Sequence, residues 1–182
     1  GVFRVAVHRD DHALIERYDA RGARLEAREV RVPMPGPFPF ASTGASIVRD
    51  AEDAVVLYGG VIRALEQYVI YAELGTAHAL FTHENEMLLD AATAFDVDGQ
   101  RLAIAAGVRH TDGLAAVPDH TLLFVLDRAG CTAELDLSGA LTSHALRPAV
   151  MATGVAHPTF VVVWTEQHGA EGVLAGARVD CD

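Results

Sequence analysis

Four segments of this chain read alike, and their recurrence limits the fold more than any other feature. They are "VFRVAVHRDDHALIERYDARG" (2–22), "HALFTHENEMLLDAATAFDVDG" (78–99), "TLLFVLDRAGCTAELDLSG" (121–139) and "TFVVVWTEQHGAEGVLAGARVDCD" (159–182). Each reads as an apolar strand, a polar turn, a second strand with small residues and an acidic tail. The tails are Asp19 to Gly22, Asp96 to Gly99, Asp136 to Gly139 and Asp180 to Asp182. Glycine suits the end of such a tail because a tight turn demands positive φ. Self-similarity at a fixed period signals units that cannot bury their faces alone and must stack.

Within the segments the pattern is period two. In "VFRVAVHR", Val2, Arg4, Ala6 and His8 take one face, and Phe3, Val5, Val7 and Arg9 the other. "AVVLYG" (54–59), "TLLFVLD" (121–127) and "TFVVVWTE" (159–166) are equally rich in β-formers and bounded by Asp, Gly, Pro and His. The stretch 40–76 hides the missing unit, with strands at "ASIVRD" and "AVVLYGG". Over 61–74 two readings compete. Ile62, Leu65, Val69 and Ala72 have helical spacing, but the run Tyr68-Val69-Ile70-Tyr71 favours a strand. "VPMPGPFPF" (32–40) carries too many prolines for a central strand and reads as a rigid connector.

The closing segment also supports a resemblance. Arg147 to Val150, Val161 to Trp164 and Gly176 to Asp182 resemble the repeats of large secreted or surface β-propeller-like bacterial proteins. "FDVDGQRLA" (95–103) and "RYDARGARLEAREVRVP" (17–33) resemble the tail and following strand of those repeats more weakly. The resemblance implies an all-β, propeller-like array of about four four-stranded antiparallel blades, alone or within a larger ring. It carries over no catalytic residue. The units fall at 1–40, 41–76, 77–116, 117–158 and, in part, 159–182. It also implies an extracytoplasmic setting.

The net charge of −11 repels phosphate backbones, so nucleic acid is excluded as a partner class, and an anionic membrane surface is disfavoured. No run of eighteen apolar residues exists, so no membrane-spanning helix is expected. The chain opens on Gly1 and stops where its other tails place glycine, so a processed chain or a piece of a longer one is expected. The remaining partner classes are a protein, a carbohydrate, another chain, or the rest of a longer polypeptide. Cys131 and Cys181 admit two buried thiols or one disulfide, and are too few for a zinc site.

Candidate site residues are His83, Glu84, His110, Asp112 and His120. Imidazoles and carboxylates are the side chains of general acid–base work, provided that a pocket gathers them. His83 and Glu84 lie in "HALFTHENE" beside Glu86. His110, Asp112 and His120 lie in "RHTDGLAAVPDH", a partial nitrogen and oxygen ligand set. Asp96 and Asp98 make only half of a calcium loop, and no HExxH, Walker or GxSxG motif occurs. No metal or other cofactor is therefore expected. Trp164, the only tryptophan, reads as core. Three functions follow: a non-catalytic binding or assembly module using propeller loops, a hydrolase or lyase whose acids and histidines converge, and a structural subunit completed by a partner strand.

Overall fold

The computed structural model describes residues 2–8, 12–33, 40–48, 54–61, 67–96, 98–110, 119–137, 144–153, 159–168 and 170–180. Every regular element among them is a β-strand. The strands are β1 (Val2–His8), β2 (His12–Asp19), β3 (Arg24–Arg31), β4 (Phe40–Val48), β5 (Ala54–Val61), β6 (Gln67–Leu74) and β7 (Ala77–Glu84). They continue with β8 (Glu86–Phe95), β9 (Arg101–His110), β10 (His120–Asp127), β11 (Thr132–Asp136), β12 (His144–Thr153), β13 (Thr159–His168) and β14 (Glu171–Asp180).

These strands form four antiparallel meanders in chain order. The first sheet is β1-β2-β3, the second β4-β5-β6-β7, the third β8-β9-β10-β11 and the fourth β12-β13-β14. The all-β expectation therefore holds, and residues 67–74 are strand rather than helix. Phe40–Val48 and Ala54–Val61 are the two strands expected in the unmatched stretch.

One expected equivalence fails. Segments 121–136 and 159–180 are hairpins, β10-β11 and β13-β14, but 78–99 is not. There β7 closes the second sheet by pairing with β6, and β8 opens the third by pairing with β9. The single residue between them, Asn85, has φ of 61°. Asparagine tolerates that left-handed conformation, and it turns the chain out of one sheet into the next. The polar run "THENE" is thus a crossing point, not a hairpin turn. The sheets accordingly bridge the unit limits expected at 76/77, 116/117 and 158/159.

The sheets stack through alternate residues. Ala13, Ile15, Val30 and Val32 of the first pack on Val69 and Tyr71 of the second. The other face of the second sheet, with Ile70, Ala72 and Leu74, meets Leu102, Ile104, Ala106, Val108, Leu122, Phe124 and Leu126 of the third. The opposite face of the third, with Ala103, Ala105, Leu123 and Val125, meets Phe160, Val162 and Trp164 of the fourth. Trp164 is therefore core, and its indole Nε1 donates to Glu166 Oε1 at 2.9 Å. The two middle sheets are covered on both faces, which explains the near-continuous apolar runs of β6, β9 and β10. The first strands of successive sheets are neighbours: β1 lies by β4, β4 by β8 and β8 by β12.

A histidine–carboxylate cluster as the candidate functional site

The interface between the second and third sheets is built from four period-two stripes. They run Leu74-Ala72-Ile70-Tyr68 on β6, Ala77-Ala79-Phe81-His83 on β7, Leu102-Ile104-Ala106-Val108-His110 on β9, and Leu126-Phe124-Leu122-His120 on β10. Each stripe is apolar until its last residue, which is a tyrosine or histidine. Antiparallel pairing brings all four polar ends to the same end of the core. Register makes the contacts specific. Tyr68 sits opposite His83 across β6 and β7, and Glu86 sits opposite His110 across β8 and β9. Asp136 lies opposite Leu122, one alternate position from His120.

The result is a continuous polar network. His110 Nε2 and His120 Nε2 are 2.7 Å apart. The Nδ1 of His120 lies 3.2 Å from Asp136 Oδ2, and that of His110 lies 3.4 Å from Glu86 Oε1. His83 extends the network, with Nδ1 3.4 Å from Glu86 Oε2 and Nε2 3.0 Å from Glu134 Oε1. Its ring stacks on Tyr68 with centroids 5.1 Å apart and planes inclined by 5°. The histidines are half-buried, while Asp136 and Glu134 reach solvent.

Tyr68 is 1% exposed, and its hydroxyl has no hydrogen-bond partner among the described residues. Burial raises the phenol's pKa well above the usual tyrosine value, and the charges of Glu86 and Glu134 raise it further. The hydroxyl therefore stays a donor at any ordinary pH. Glu86 Oε2 is likewise buried without a hydrogen-bond partner, since the 3.4 Å approach of His83 is an ion-pair distance only.

Of the five candidates, the fold gathers His83, His110 and His120. Glu84 stays out for a period-two reason: it follows His83 on β7, so its side chain takes the opposite face. Nor do Glu84 and Glu86 share a strand face, because Asn85 divides their strands between two sheets. Asp112 lies outside the described residues. Tyr68, Glu134 and Asp136 escaped sequence reasoning, although the signal existed: alternate-residue stripes that end in polar residues mark where a core turns into a site. Among the described residues no three His, Cys, Asp or Glu side chains are arranged to hold a metal ion. The facing Nε2 atoms of His110 and His120 are two donors with no third beside them among the described residues.

Elsewhere, Arg109 Nε and Nη2 donate to Asp119 Oδ1 and Oδ2, both at 2.9 Å, tying β9 to the entry of β10. Cys131 is an exposed free thiol, and Cys181 lies outside the described residues. No helix among the described residues is long and apolar enough to cross a membrane.

No family model matches the chain, and no curated protein does. Among solved structures, a point mutant of Synechocystis apocarotenoid oxygenase is similar, with a TM-score of 0.47 at 9% identity. The match covers 98% of this chain and 46% of that one, so this chain spans under half of its length. Nothing is carried from that protein to this one.

Proposed function

We propose that the chain forms consecutive blades of a β-propeller and that its cluster is a general acid–base site of hydrolase or lyase type. Three features support the propeller. Each sheet is a meander, the sheets stack face to face in chain order, and their first strands adjoin. An experimental structure in which β1, β4, β8 and β12 do not surround a common axis removes this part.

The chemistry rests on the 2.7 Å contact between His110 and His120. Each Nδ1 faces a carboxylate, which favours a proton on each Nδ1. Both Nε2 atoms would then present lone pairs to one another, and one shared proton relieves that repulsion. A pair holding such a proton can surrender it to a leaving group and later recover it. General acid–base catalysis of this kind contributes roughly 10²–10⁴-fold. The test is a panel of chromogenic carboxylic esters, phosphate esters and glycosides, together with substrates for β-elimination. H110A and H120A should each reduce any turnover by about 10²-fold or more. Full activity in both variants ends the reading.

A second reading, a binding or assembly module of an extracytoplasmic protein, draws on a different observation. The outer face of the first sheet exposes Phe3, Val5 and Val7, and that of the fourth exposes Met151 and Leu174. A protein or further sheets of the same kind would cover these faces, as sheets cover each other inside the stack. The resemblance to secreted repeats belongs with this reading.

A further inference from the structure

We infer that Tyr68 and Glu86 together hold one water molecule, and that this water is the nucleophile, which makes the reaction a hydrolysis rather than an elimination. The inference rests on the acid–base reading of the cluster but starts from two other atoms. The Tyr68 hydroxyl is a buried donor without an acceptor, and Glu86 Oε2 is a buried acceptor without a donor. Native interiors rarely leave such atoms unpaired. Both flank the same imidazole: the Tyr68 ring stacks on that of His83 with centroids 5.1 Å apart, and Glu86 Oε2 lies 3.4 Å from His83 Nδ1. A molecule that accepts from the phenol and donates to the carboxylate satisfies both. Water does this, and it suits a place where Tyr68 is 1% exposed and its ring is covered by that of His83.

The chemistry balances through the same network. Glu86 takes one proton from the water as the water oxygen bonds to an acyl, glycosyl or phosphoryl centre. The bond to the leaving group breaks, and the leaving group takes the proton shared by His110 and His120. The cycle closes through solvent: Glu86 releases its proton to bulk water, and the facing Nε2 atoms of His110 and His120 take one back between them. His83 and Glu134 hold the other side of Glu86 and take no part in the transfer.

The experiment is a high-resolution crystal structure of the protein and of its Y68F and E86Q variants, with melting temperatures for all three. One water within hydrogen-bond reach of both Tyr68 Oη and Glu86 Oε2 is expected. Y68F should lose it and melt about 2–4 °C lower, the scale of one hydrogen bond in a chain of this size. E86Q, which keeps an acceptor oxygen but not a base, should keep the water and lose about 10²-fold in kcat. The inference is overturned if no water lies there or if Y68F retains it. It is also overturned if Y68F melts higher, as removal of a merely orphaned hydroxyl would cause, or if E86Q turns over at the wild-type rate. A water found in place while H110A and H120A remain fully active would instead defeat the acid–base reading.

Discussion

Three hairpin turns share one device at the scale of single residues. Asp19, Asp96 and Asp127 each accept two backbone N–H bonds through Oδ1, from Arg21 and Ala23, from Gln100 and Arg101, and from Ala129 and Cys131. Three residues on stand Gly22, Gly99 and Gly130, with φ of 82°, 67° and 87°. The aspartate closes the turn as a backbone mimic, and the glycine takes the left-handed position without a Cβ penalty. Two of these turns are legible as acidic tails. The third, "DRAG" at 127–130, lies hidden within a segment read as one hairpin. Open space surrounds the Cβ positions of Gly22 and Gly130, so alanine there meets only backbone strain. G22A and G130A should each cost about 1–2 kcal/mol in urea unfolding. D127A should cost about 1–2 kcal/mol and D127N clearly less, because the amide oxygen still accepts. Tyrosine ionisation gives a second check at this scale. Burial, then the bond from its hydroxyl to Glu73, pushes Tyr71 up to about 12 from 10.0, and Tyr68 is raised further. Folded pKa values above the unfolded ones mean stability that is complete below pH 10.0 and lost as pH climbs through about 12. Absorbance at 295 nm should show two tyrosines ionising only as the fold is lost. Ionisation of all four tyrosines near pH 10.0 in a folded protein would contradict this.

At the scale of strands, the decisive property is which alternate residue faces which neighbour. β9 is buried on both faces through Leu102 to Val108 yet ends at Arg109 and His110, which point opposite ways. His110 joins the cluster, and Arg109 clamps Asp119, itself 2% exposed. Asp119 raises the pKa of Arg109, first by its hydrogen bonds and then by its charge. R109A should destabilise by about 2 kcal/mol, below the 3–5 kcal/mol typical of breaking a fully buried pair, because the guanidinium is partly exposed. R109K should recover only part of this, since lysine cannot form the two-pronged contact. Phe124 sits at the centre of the interface between the second and third sheets and packs on Phe81, with centroids 4.6 Å apart. F124A should cost about 3–5 kcal/mol by thermal or chemical unfolding.

At the largest scale, the described residues form a stack of four sheets whose two ends are not alike in sequence but share a feature. Both outer faces expose large apolar side chains among ion pairs, with Phe3 48% exposed on one and Leu174 72% exposed on the other. The inner sheets show that the stable state of such a face is cover by another sheet. The chain should therefore associate at micromolar concentration or bind a hydrophobic dye, and the double variant V5T/L174T should do so less. Sedimentation velocity checks the first outcome and dye fluorescence the second. A monodisperse monomer that binds no dye would show that these faces are tolerated in water.

The alternation of apolar and polar residues and the acidic tails are local, so strand identity, the all-β class and the positive-φ glycines at 22 and 99 were readable from the chain alone. So were His83, His110 and His120 as residues worth watching. Which strands share a sheet was not readable, because pairing joins residues far apart in sequence, and a single residue, Asn85, decides where one sheet ends. The same holds for the cluster. Tyr68, Glu134 and Asp136 belong to it only because two sheets face each other in one register, and register is a property of packed faces rather than of any segment.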